Sequence, residues 1–123
     1  MLIAPAGNLS LSTPLGSVTY PAAWNEVIGV GGVNLSEGGD PVSSLFYLRN
    51  DSVFVCARAD CDGEKGSSYA APRVTAVVAA YLAMAPGATA KDISRFLKDT
   101  ALDLGEPGYD TVYGWGYIAA DYK

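Results

Sequence analysis

The stretch from Ser68 to Met84, "SYAAPRVTAVVAAYLAM", most restricts the folds open to this chain. Val74, Val77, Val78, Tyr81 and Leu82 recur at i, i+3, i+4, i+7 and i+8, the period of one helix face. Ala76, Ala79, Ala80 and Ala83 carry small apolar side chains round the other side. A helix apolar on all sides has to be wrapped by other elements, so the expectation is a central helix buried all round. Pro72 falls within its first turns, where a missing N–H costs little, and "APG" at 85–87 stops it.

Three short apolar runs supply the wrapping. "LIAPAG" at 2–7 is closed by Gly7 and Asn8, and "EVIGVGGV" at 26–33 and "SVFVCAR" at 52–58 are rich in β-branched residues between turn formers. The run at 26–33 has no polar alternation, which fits a strand covered on both faces and points to a parallel sheet. Thr89 with Asp92 three residues later makes a capping-box start for a second helix, whose apolar face is Ile93, Phe96, Leu97 and Ala101. The chain closes with the Gly-rich aromatic segment "YGWGYIAADYK". These elements are of the α/β class. A length of 123 residues, half of them hydrophobic, suits one domain over 1–123 with one core.

Charge and composition exclude several functions. Thirteen acidic against eight basic residues give a net charge of -5, and no Lys/Arg cluster interrupts that average, so nucleic acid is excluded as a partner. No apolar run approaches the ~20 residues of a membrane span, and "MLIAPAGNLS" lacks the basic flank and cleavage pattern of a signal peptide. Cys56 and Cys61, with no further Cys and no His, fall short of a zinc ligand set; one short disulfide or two thiols both remain open. "GVGG" at 29–32 lacks the spacing of a phosphate loop, and "DCDGEKG" at 60–66 lacks that of a calcium loop and reads as a solvated acidic turn. No cofactor or metal is expected.

"GSSYAAPRV" at 66–74 places Ser67 and Ser68 where the long helix opens. A hydroxyl there lies in the positive field of the helix, and its own N–H is among the unpaired donors of the first turn. Such a serine can attack a carbonyl and help to hold the resulting oxyanion. Local spacing by itself favours the commoner use of serine at this place, an N-cap.

Four motifs in order change that balance. "LIAPAGN", "YPAAWNEVIGVGGV", "GSSYAAP" and "YGWGYI" resemble, in the same sequence, the Ala-Gly-Asn strand end, the Tyr-Pro-Ala segment with its strand, the Gly-Thr-Ser-x-Ala-x-Pro nucleophile motif and the Gly-x-Gly close of the subtilisin-like serine proteases. The resemblance implies a partial three-layer subtilisin-like fold, the carboxyl-terminal half of a catalytic domain, with the serine on its buried central helix. It makes Ser68 the nucleophile, and the Asn8 side chain with the Ser68 N–H the oxyanion donors. Pro5, Ala6 and Gly7 would wall the pocket for the side chain preceding the scissile bond, and Ser67 would be a further substrate-binding position.

The chain departs from the family pattern at four points. The family's aspartate and histidine would precede Met1, and the chain contains no histidine. Arg73 stands where the family usually has a histidine outside the triad, Tyr69 where methionine is frequent, and "CARADCDGEK" is a short connection to the nucleophile. Two functions are therefore expected: a serine endopeptidase inactive until an amino-terminal half supplies Asp and His, or a catalytically dead homologue kept as a binding module. The expected partners are a peptide or protein substrate, and either that amino-terminal half or a second copy pairing through an exposed strand. Secretion is implied by the resemblance alone. Asn8, Asn34 and Asn50 each begin an N-x-S sequon, and a glycan on Asn8 would be incompatible with an oxyanion role.

Overall fold

The computed structural model describes residues 1–120. Its elements are β1 (Leu2–Pro5), β2 (Val27–Leu35), β3 (Pro41–Val42), β4 (Val53–Arg58), β5 (Asp60–Cys61), β6 (Glu64–Lys65), α1 (Ser67–Met84) and α2 (Ala90–Thr100). The last three residues of the closing aromatic segment lie outside the described residues.

β2 is the centre of a parallel sheet. β1 lies on one side, with Leu2 opposite Val27 and Pro5 opposite Val30, and β4 on the other, with Val55 opposite Val30. β3 adds an antiparallel pair at the end of β2. Side chains alternate across a strand, so Ile28 and Val30 pack with α1 and α2 while Val27 and Val33 enter two smaller clusters on the opposite face. Burial on both faces leaves no room for a polar residue from Val27 to Val33, which explains the missing alternation. The outer edge of β4 is covered by 115–118: Trp115 N–H donates to the Phe54 carbonyl, and Cys56 and Gly116–Ile118 exchange bonds of 2.9 and 2.8 Å. The outer edge of β1 pairs with no other strand among the described residues.

The long helix is buried on one flank rather than all round. Ala70, Ala71, Val74 and Val78 are buried against the sheet, and Tyr81 stacks on Phe96 of α2 at 4.1 Å. Ala79, Ala80 and Ala83 are exposed, because sheet and α2 lie along one side and nothing among the described residues covers the alanines. The second helix follows its sequence closely. Thr89 accepts from the Asp92 N–H while Asp92 accepts from the Thr89 N–H, and Ile93 and Leu97 are buried.

The acidic turn before α1 is the tip of the β5–β6 hairpin, where Asp62 and Gly63 have φ of 49° and 86°, as two-residue hairpin loops require. Arg58 donates from Nε and Nη2 to the two carboxylate oxygens of Asp60, at 3.0 and 2.9 Å. Arg73 reaches back from α1 and donates Nη1 to the carbonyls of Arg58 and Asp60, at 2.7 and 3.1 Å. Helix, strand end and hairpin are thereby tied together. Both cysteines are free, and burial, with the charge of Asp110 adding to it, pushes the Cys56 thiol up, so it is an inert core side chain.

Two measurements check this packing. Leu97→Ala, at a fully buried position, should cost about 2–5 kcal/mol in urea unfolding, whereas Ala80→Ser on the uncovered side should stay within ~0.5 kcal/mol of the parent. The hydrogen bonds from Arg58 hold the Asp60 carboxyl below its ordinary range, so this pair stabilises fully above the unfolded carboxyl's pKa. Its contribution should begin to disappear as pH falls past about 4 and continue downward through the lower folded value. Asp60→Asn should remove that part of the acid limb in a series of urea midpoints against pH.

Candidate functional site

Asn8 follows β1 at the carboxyl end of the sheet, and its backbone is held on every side. Leu48 N–H donates to the Gly7 carbonyl at 3.0 Å, Leu9 N–H to the Phe46 carbonyl at 2.8 Å, and Thr13 Oγ1 to the Asn8 carbonyl at 3.1 Å. Just before it the chain bends at Gly7, whose φ is 110°, and a Cβ there would come within 2.7 Å of Leu48 Cδ1. Only glycine fits that conformation and that space. Ala6 is fully buried; its N–H donates to the Val30 carbonyl and its carbonyl accepts from Thr19 Oγ1 at 3.0 Å. Pro5, half-buried, ends the strand.

Ser67 meets this segment from the helix. Its Oγ accepts from the Gly7 N–H at 3.1 Å, and its own N–H donates to Asn8 Oδ1 at 2.9 Å. The side chain is 1% exposed. The expectation of a serine N-cap is corrected here: the N-cap position is Gly66, which has no side chain, and the acceptor that closes the first turn is Asn8, 59 residues away. A backbone N–H can only donate, so the Asn8 oxygen has to face Ser67 and Nδ2 is turned away from it. None of the hydrogen bonds among the described residues uses Nδ2.

Ser68 comes next and is exposed to solvent. As the second residue of α1 its N–H has no carbonyl a turn earlier to bond. A Cβ placed on Gly66 would lie 3.5 Å from Asn8 Nδ2 and 3.9 Å from the Ser68 nitrogen, so the bare Gly66 leaves open a space flanked by both donors. The first turn of α1 carries no acidic residue, and the positive end of the helix is therefore not neutralised locally. Two N–H donors beside one small space, next to a solvent-facing hydroxyl, can hold the negative oxygen that forms when the hydroxyl oxygen adds to a carbonyl. A proton acceptor of imidazole type is missing from the composition itself.

The structure thus brings together Gly7, Asn8, Gly66, Ser67 and Ser68, with Pro5 and Ala6 leading into them. Sequence reasoning missed Thr19, which fixes the Ala6 carbonyl and packs beside Gly7, and no spacing relates it to either. It also missed the work of Arg73. Only a long donor side chain two turns into a helix that follows a strand end hinted at that role.

Fervidolysin of Fervidobacterium pennivorans is 33% identical over 95 residues, 76% of this chain and 14% of its own length. Its crystal structure matches with a TM-score of 0.80 at 28% identity, covering 96% of this chain and 21% of that one. Subtilisin DY of Bacillus licheniformis is 29% identical over 124 residues, 96% of this chain and 44% of its own. An extracellular serine protease of Serratia marcescens is 44% identical over 55 residues, 45% of this chain and 5% of its own. The chain spans less than half the length of each of these relatives. The model of the subtilase family matches residues 1–116, which takes in every residue of the site, and the chain belongs to that family, peptidase family S8.

Proposed function

We propose that this chain contributes the nucleophile and the oxyanion-binding groups of a serine endopeptidase. The reading is supported above all by the mutual bonding of Ser67 with Gly7 and Asn8, which turns Asn8 Nδ2 and the Ser68 N–H toward one space. Ser68 Oγ attacks the carbonyl of a peptide bond while an external base takes its proton. Asn8 Nδ2 and the Ser68 N–H receive the developing oxyanion. The proton passes to the leaving amine, and water, activated by the same base, releases the acyl group from Ser68. Pro5 and Gly7, both partly exposed, line the approach; Ala6, expected as a third wall residue, is fully buried behind them, and Ser67, whose hydroxyl is committed to Gly7, acts by holding Asn8 in orientation.

The base and the aspartate that orients it come from an amino-terminal half. The edge of β1 and the alanine side of α1, which no other described residues pair or cover, are where that half docks, since an open strand edge and a bare helix flank both call for a covering element. Without it the hydroxyl has no proton acceptor and the chain is inactive.

A fluorophosphonate probe should label Ser68 only after an amino-terminal subtilase half is added, as read by intact mass. In that complex Asn8→Ala should lower kcat by about 10²–10³, the range found for the side-chain oxyanion donor of subtilisin, a member of this same family. Ser68→Ala should cost on the order of 10⁶, again as in subtilisin itself. Turnover unchanged by Ser68→Ala would remove the nucleophile from this position, and a complex that forms but neither turns over peptide nor takes the probe would leave the binding-module reading in its place. Light scattering that finds a dimer of this chain, and no complex with the added half, would assign the β1 edge to a second copy.

A further inference from the structure

The amino ends of β2 and β4, with the segment before β2, border a cavity of about 410 Å³ that is open to solvent. Val27 lies level with Leu2 at the end of the sheet away from Asn8, while Val18 and Tyr20 flank Thr19, which packs beside Gly7, so the cavity runs from behind the wall of the serine site to the amino ends of the strands, and none of Asn8, Ser67 and Ser68 lines it. It has no part in the chemistry proposed for Ser68. Its aromatic walls are Tyr20, Trp24, Phe54 and Tyr109, and its acidic member is Asp51.

Three features define what would fit. Tyr20 and Trp24 are 66% and 54% exposed, although their rings are only 5.6 Å apart at 51°, so each keeps much of its ring in contact with solvent rather than with the core. Tyr109 is fixed, donating its hydroxyl to the Asp51 carbonyl at 3.0 Å and meeting Trp115 at 5.4 Å. Burial, then the charges of Asp51 and Asp110, push the Tyr109 phenol up, which places negative potential at this wall. No lysine or arginine among the described residues lines the cavity, and the chain as a whole carries -5. An anion would be repelled, and an apolar group would leave the Asp51 charge facing hydrocarbon. A flat cation satisfies both kinds of wall. A guanidinium stacks on aromatic faces and offers paired N–H donors to a carboxylate, which a compact ammonium does less well.

We propose that this cavity is an exosite for an arginine side chain of a bound polypeptide. The test uses the 123-residue chain and three peptides, acetyl-Ala-Arg-Ala-amide and its lysine and citrulline counterparts, followed by ¹H–¹⁵N NMR. The arginine peptide should shift the Trp24 indole and the Asp51 and Ser52 amides, with a Kd on the order of millimolar. Citrulline, equal in shape but neutral, should bind at least about fivefold more weakly, and lysine should fall between. Asp51→Asn and Trp24→Ala, both at exposed positions and each checked for native amide dispersion, should each weaken the arginine peptide by about fivefold or more. Equal binding of arginine and citrulline peptides, shifts centred away from Trp24, or no binding at about 20 mM would overturn the proposal. None of these outcomes depends on whether Ser68 is a nucleophile.

Discussion

Two hydrogen bonds made by one serine organise the candidate site of this molecule. Ser67 takes the Gly7 N–H on its hydroxyl and gives its own N–H to the Asn8 side chain. Each bond contributes only about 1 kcal/mol net, so their importance lies in orientation more than in stability. They join the end of β1 to the start of α1, and they decide which end of the Asn8 amide is available. The two helices show the alternative uses of a first turn. α2 is sealed by its own capping box, with Asp92 neutralising its positive end. α1 is closed by a residue from another part of the chain and has no acid in its first turn, which leaves the Ser68 N–H and the helix field for something else.

Such a pair can be held only by a rigid platform. β2, buried on both faces, fixes β1 through a parallel register, and the segment 46–48 bonds the backbone on either side of Asn8. The bend at Gly7 then aims the amide at the helix. Donors fixed in this way need no rearrangement when charge appears beside them, which is where most of the benefit of the proposed oxyanion site would originate. On the far side of α1, Arg73 binds the carbonyls at the end of β4 and the start of the hairpin, so the short connection into Ser67 is anchored from the helix it feeds.

What the sequence revealed follows from how local each signal is. The start of α2 was readable because a capping box lies within four residues, β2 because burial on two faces strips a run of polar residues, and β1 and β4 because each is a short apolar run between turn formers. Ser68 and Asn8 are singled out by ordered motifs rather than by spacing. The cap of α1 was not, since its acceptor is 59 residues away and Gly66 gives no local sign of it. The exposed alanines show a different gap: small apolar residues satisfy a helix pattern whether or not anything covers them. The strands β3, β5 and β6 are two residues each, too short to have a period.

The asparagine side chains carry a practical consequence. Asn50 is 6% exposed, donating Nδ2 to the Ser17 carbonyl at 2.7 Å and accepting from the Ser52 N–H at 2.9 Å, while Asn34 accepts from the Tyr47 hydroxyl at 2.6 Å. With Asn8 engaged as well, all three acceptor sequons are built into the folded interior or its polar network. An oligosaccharyltransferase acts on the nascent polypeptide before such contacts form, and a glycan added then to Asn50 would have to be accommodated where the fold leaves almost no volume. Production in a eukaryotic secretory host would therefore work against this architecture, and a bacterial cytoplasm or refolding from inclusion bodies suits it better.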